Sequence, residues 1–189
     1  MRCLKFLFTG CAIAARWLGC LAVIMAFGFL LMPMTSHAQP AAEELAPSSR
    51  EWEKILPVAQ NLKADGDAAT AAKKPILLFF NLTGCHFCRG ALREVIVPMF
   101  RNAGWRAALE FRQITIDDGK SLIDFDGKRI ENIAFAQKRK GTFAPTVMVV
   151  DGDGQLLGEP LVGIANFDFY GAYVDGLVNK SIADLKARK

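Results

Sequence analysis

Cys85 and Cys88 stand two residues apart in FFNLTGCHFCRGALREV (79–95), with His86 and Phe87 between them, where an apolar run gives way to a helical pattern. Thiols at this spacing can bind a metal, anchor a haem, staple a loop or exchange electrons. Haem attachment requires a histidine directly after the second cysteine, and that position is Arg89. Structural zinc takes four Cys or His ligands. Beyond residue 38 the chain offers only Cys85, Cys88 and His86, and His86 would strain to reach an ion held by the cysteines on either side of it. A soft Cu(I) ion between two thiolates stays open, as does a buried, inert pair.

A working dithiol fits the local pattern. The first cysteine lies where a strand passes into a helix, so its sulfur faces unpaired N–H groups and the positive end of the helix. Such a setting lowers a thiol pKa and favours the nucleophilic thiolate. His86, when protonated, adds a second favourable charge and so tunes Cys85. Cys88, one turn further on, is near enough to attack a mixed disulfide formed at Cys85. The loop the pair closes is too short to staple a fold, because the gain from closure grows with loop length.

The elements that position this pair follow from the rest of the chain. The first forty residues begin MRCLKFLFTGCAIAARWLGC, with Arg2, Lys5 and Arg16 ahead of an apolar stretch from Trp17 to Met34 and no acid before Glu43. Ser36 and Ala38 form a small-x-small cleavage site, so residues 1–38 read as a signal peptide, with an uncleaved N-terminal anchor as the alternative. Either way the domain is placed outside the cytoplasm, periplasmic or secreted. Cys3, Cys11 and Cys20 belong to this leader. Cys11 precedes the main apolar run and Cys20 lies near its start, rather than after it, the wrong order for a lipoprotein signal. Of 23 basic and 19 acidic residues, the leader holds three basic and no acidic ones. The remainder is close to neutral and carries no basic, aromatic-interleaved patch, which argues against a nucleic-acid partner.

Residues 39–49, rich in Ala, Pro, Ser and Glu, read as a flexible tether, and 50–189 as the domain. Trp52, Ile55, Leu56, Ala59 and Leu62 recur at helical spacing, with Pro57 kinking or restarting that helix. PILLFFNL (75–82) predicts a strand covered on both faces. A helix follows from His86, bent in its last turn by Pro98. LEFRQITID (109–117) alternates as a second strand, and GKSLIDFDGKRI (119–130) reads as an inserted loop or short hairpin around Asp126-Gly127. ENIAFAQKRKG predicts a helix closed by Gly141, its KRK (138–140) a solvated end complementing the dipole. APTVMVVDGDGQLLGEPLVG predicts two strands about a tight Asp/Gly turn. A final helix opens with Asn166 as N-cap, and Phe167, Phe169, Tyr170 and Tyr173 are expected to face mostly inward. The order β-α-β-α-β-β-α makes an α/β domain, a central mixed sheet with helices on both faces.

Two tempting motifs yield to inspection. DGDG (151–154) lacks calcium ligands at the first and last positions of an EF-hand, where Val149 and Pro160 stand. NLT (81–83) is a formal glycosylation sequon set beside the dithiol, where a glycan would block a protein substrate.

A strand, Cys-x-x-Cys opening a helix, and APT (144–146) opening a later strand together resemble the thioredoxin fold, over roughly residues 50–185. The leader, the LIDFDGKRI insertion and FDFYGAYVDGLV resemble most the periplasmic thioredoxins of bacterial sulfur oxidation and the C-terminal domain of DsbD. The resemblance implies a thiol–disulfide oxidoreductase in which Cys85 attacks and Cys88 resolves. It implies that Pro145 is cis, positioning substrate with the backbone of Ala144 and Thr146. His86 and Phe87 would set the potential. No metal or cofactor is implied beyond the dithiol. The partners implied are a protein or small-molecule disulfide and an upstream redox partner, soluble or membrane-bound, and a monomer is expected. Alternatives are a disulfide oxidase or isomerase, and a binding module for copper or a maturation partner. One departure stands out. Many thioredoxins carry a buried acid six residues before the first cysteine, where this chain has Phe79; Asp117 and Asp118 end a strand expected to lie nearby.

Overall fold

The computed structural model describes residues 49–188; the leader and nearly all of the tether lie outside them. Its centre is β1 (Ile76–Asn81), in which every residue is buried. Leu77 and Phe79 point to one face and Ile76, Leu78 and Phe80 to the other, each group entering its own apolar cluster, as the period of a strand requires. β2 (Glu110–Thr115) pairs with β1 in parallel. β5 (Thr146–Val150) pairs with its other edge antiparallel, and the short β6 (Leu161–Val162) completes the order β2-β1-β5-β6. This is the α/β architecture expected, a mixed sheet of thioredoxin type.

Helices cover both faces. On the Phe79 side lies a continuous helical stretch made of α3 (His86–Ala91), a π-helical turn (Leu92–Ile96) and α4 (Val97–Arg101). Beside it runs the long α7 (Phe167–Ala187), whose Tyr170, Val174, Leu177, Val178 and Ser181 are buried. The Phe80 side is covered by α2 (Leu62–Ala72) and α6 (Asn132–Arg139), which contribute Leu62, Ala69, Phe135 and Ala136. α5 (Ala103–Ala108) leads into β2. The predicted bend at Pro98 takes the form of that π-turn, with the Val97 N–H reaching back to the Leu92 carbonyl. Proline has no N–H to offer and clashes with the carbonyl four residues earlier, so the wider turn accommodates it.

Four expectations need correction. Pro57 neither kinks nor restarts a helix in place: α1 (Ser49–Ile55) ends before it, and the chain then runs extended. Gln113 N–H donates to the Pro57 carbonyl and Ala59 N–H to the Gln113 carbonyl, both at 2.9 Å, so this segment covers the β2 edge. The residue closing α6 in the left-handed conformation is Lys140, at φ 58°, rather than Gly141. Within KRK, Lys138 and Lys140 are exposed as expected, but Arg139 is not. The Arg139 guanidinium lies 5.0 Å from the Phe125 ring and 5.4 Å from that of Phe135, and Lys138 and Arg139 both pair with the buried Asp124. Of the four aromatics at the start of α7, only Tyr170 is buried; Phe169 and Tyr173 are more than half exposed.

The insertion is a hairpin, β3 (Ser121–Ile123) with β4 (Arg129–Glu131), turned at Asp126-Gly127 with Gly127 at φ 81°. The DGDG segment is a turn as expected: Asp151 Oδ1 accepts from Asp153 N–H and Gln155 N–H. The strand after it is shorter than predicted, because Gly158-Glu159-Pro160 interrupts pairing between Leu156 and Leu161. Among the described residues no helix is long and apolar enough to cross a membrane.

Candidate active site

β1 delivers the chain to the site and α3 receives it. The intervening turn is fixed from two sides. Cys85 N–H donates to the Leu82 carbonyl at 3.2 Å, and Asp117, just past β2, accepts from both the N–H (2.8 Å) and the hydroxyl (3.0 Å) of Thr83. Cys85 is the N-cap of α3, and its Sγ accepts from Cys88 N–H at 3.1 Å. The two cysteines form a disulfide with Cα atoms 5.2 Å apart. Cys85 is half-buried, whereas Cys88 is only 2% exposed. Cys88 sits in the cluster that includes Phe79, so the floor beneath the disulfide is apolar.

Across from α3 the Ala144–Pro145 peptide is cis. The Pro145 carbonyl accepts from Gly163 N–H at 2.8 Å, and Thr146 is buried with its hydroxyl donating to the Phe143 carbonyl at 2.7 Å. The N–H and C=O of half-buried Ala144 are without a backbone partner among the described residues.

The approach to the disulfide is apolar. Phe87, 55% exposed, stacks on Phe167 with ring centroids 6.1 Å apart, and Phe143 beside the cis-proline is 64% exposed. Phe167 reaches this position only because residue 90 is glycine: a Cβ there would lie 2.7 Å from the ring. His86 is exposed, its Nδ1 at 3.3 Å from Arg89 Nη2. Sequence reasoning did not single out Phe143, Arg89 or Arg93. Arg89, four residues after Cys85 and so on its side of the helix, carried the one signal that could have done so.

Asp117 is occupied by Thr83, and Asp118 accepts from Asn132 Nδ2 and Lys120 N–H at 3.0 Å each. Neither carboxylate is hydrogen-bonded to the disulfide. Asn81 of the sequon is 2% exposed within β1, out of reach of glycan transfer in the folded chain. No group of three or more His, Cys, Asp or Glu side chains among the described residues is placed to hold a metal ion.

Fold and site together define a thioredoxin-fold protein with an oxidised Cys-x-x-Cys pair. No protein-family model and no curated protein sequence matches the chain. Among solved structures it is similar to thioredoxin from Fasciola hepatica, at 16% identity over 67% of this chain and 99% of that one, with a TM-score of 0.46. It is likewise similar to the DsbH oxidoreductase, at 15% identity over 69% of this chain and 88% of that one, TM-score 0.47. A third is the C-terminal domain of DsbD from Neisseria meningitidis in its oxidised form, at 19% identity over 64% of this chain and 98% of that one, TM-score 0.42.

Proposed function

We propose that the protein is a thiol–disulfide oxidoreductase acting outside the cytoplasm, and that its reduced form reduces protein disulfides. The observation that carries this is the asymmetry of the pair. Cys85 is open to a partner at a helix start, while Cys88 is shut beneath it. An inert pair has no need of that difference.

In the reduced protein the Cys85 thiolate attacks a partner's disulfide sulfur. The partner's S–S bond breaks, a bond from Cys85 to the partner forms, and the partner's other sulfur leaves as thiolate. Cys88 then loses its proton to solvent, and its thiolate attacks Cys85 Sγ. The Cys85–Cys88 bond of this structure forms as the partner's first sulfur departs. Two electrons pass to the partner, which takes up protons to become a dithiol. Residues flanking the pair hold the substrate: Ala144 offers its backbone groups, Pro145 and Thr146 fix that strand, and Phe87 and His86 line the approach. The leader, read as a signal peptide, supplies the location, and an upstream dithiol donor supplies the electrons for turnover.

Replacing Cys88 with Ser removes the resolving thiol. Incubated with oxidised extracellular extract, Cys88→Ser should accumulate covalent adducts that dithiothreitol releases and that Cys85→Ser lacks. Absence of any adduct would leave only a non-covalent binding module.

A further inference from the structure

Two guanidinium groups, Arg89 of α3 and Arg93 of the π-helical turn after it, follow Cys85, with Glu94 the one carboxylate beside them in the cleft lining. With His86, Gly90, Glu94 and Phe167 they line an open cleft of about 450 Å3. Among the described residues Arg89 pairs with no carboxylate; its Nη2 lies 3.3 Å from His86 Nδ1. Arg93 pairs only with its neighbour Glu94, the two side chains 56% and 46% exposed, and pairs so exposed hold little energy. The cleft begins one residue from Cys85 and is roofed on one side by the Phe87–Phe167 stack.

This charge faces the space that a partner's atoms occupy during exchange. The departing sulfur carries negative charge, and cations within a Debye length assist both its departure and the approach of an anionic partner. Phe143, next to Ala144, and Val162, paired with Thr146, are 64% and 56% exposed, and the backbone of Ala144 has no hydrogen bond among the described residues. A small disulfide would touch only the surroundings of Cys85. A polypeptide spans the cleft, the sulfur and this further surface together.

We infer that the partner is an acidic polypeptide, docked with its main chain along Ala144 and with carboxylates next to its reactive cysteine lying over Arg89 and Arg93. The inference rests on the exchange activity proposed above and names its substrate class.

Three disulfide peptides identical except for two flanking positions, filled by Glu, Gln or Lys, test it with the reduced full-length protein. At about 20 mM salt the Glu peptide should be reduced about tenfold faster than the Lys peptide, and at about 500 mM the ratio should fall to about twofold, as screening requires. Arg89→Glu and Arg93→Glu together should invert the ratio. Because a ratio is read, any change in Cys85 acidity caused by the substitutions cancels. Equal rates for the Glu and Lys peptides at low salt overturn the proposal, as does a preference that survives both charge reversals. Failure to reduce even the Gln peptide brings down the exchange reading itself, a result distinguishable from loss of preference.

Discussion

At the residue scale, the proton of Cys88 poses the sharpest problem. Phe79 stands, fully buried, where many thioredoxins place an acid, and the cluster around Cys88 is apolar. Asp117 is tied to Thr83 through two hydrogen bonds, which assigns it to holding the turn rather than to proton transfer. A general base is worth about 10²–10⁴-fold in rate. Asp117→Ala should therefore leave the release of a preformed Cys85 mixed disulfide within about threefold of wild type, well short of what loss of a base would cause. The same change should lower stability by about 1–2 kcal/mol through loss of its hydrogen bonds. Stopped-flow release and urea unfolding separate the two effects, and a hundredfold slower release would make Asp117 the missing base. Gly90 is equally specific. An added methyl would meet the Phe167 ring at 2.7 Å, so Gly90→Ala should cost about 1–3 kcal/mol, typical of overpacking. It should also unstack Phe87, visible as a changed methyl and ring pattern in NMR spectra of the site.

At the element scale, α2 is fastened to the sheet by one pair. Arg112 of β2 donates from Nε and Nη2 to the two oxygens of Asp65, at 2.7 and 2.6 Å, with both side chains less than one-fifth exposed. Hydrogen bonding to Asp65 raises the guanidinium pKa above its ordinary value, outweighing burial, and the charges of Asp65 and Glu110 add to it. Arg112 thus stays charged at every workable pH. Asp65→Asn should destabilise the fold by about 1–3 kcal/mol, the value of hydrogen bonds to a charged group. A shift in urea midpoint with unchanged m-value would show it, and an unmoved midpoint would mean α2 is held by Leu62 and Ala69 alone. How far elements were legible depended on whether local signals decided them. The unbroken ILLFF run defined β1, and Asn166 marked the start of α7 by accepting from Asp168 N–H. The cysteine spacing located the site because thiol chemistry is local to the helix start. The extended stretch at 57–61 was hidden, since helical spacing persists through it and only its pairing with Gln113 and Ile123 makes it straight. Arg139 looked solvated for the same reason: its partners Phe125 and Gly154 come from the inserted hairpin and a distant turn. The docking cleft, too, exists only because α7 brings Phe167 onto Gly90.

At the scale of the whole molecule, the reduction potential is a folding quantity. It measures how much more the fold favours the dithiol than an unfolded chain does, with about 30 mV for each 1.4 kcal/mol. Groups that favour the reduced state are few here. Cys85 receives one N–H bond, from Cys88, and the α3 start. The nearest fixed cation, Arg89, is only half-buried. Cys88 is buried on an apolar floor, and burial of that kind disfavours a charged form. A helix terminus and exposed charges are worth about 1–2 kcal/mol together, equivalent to about 20–40 mV. So small a preference for the dithiol predicts a value on the reducing side of the dithiol range, below about −200 mV, and far from the roughly −120 mV of a strong oxidant. Alkylation of the protein equilibrated across a glutathione series measures it directly. Denaturant unfolding of the two redox forms gives an independent reading, because the difference in their stabilities, converted at the same rate, must follow the potential. A potential near −120 mV, with the reduced form correspondingly the more stable by several kcal/mol, would reverse the electron flow and make this a disulfide-forming protein. A value in the predicted range makes it a donor, and a donor with an exposed Phe87 beside its sulfur is built to meet proteins.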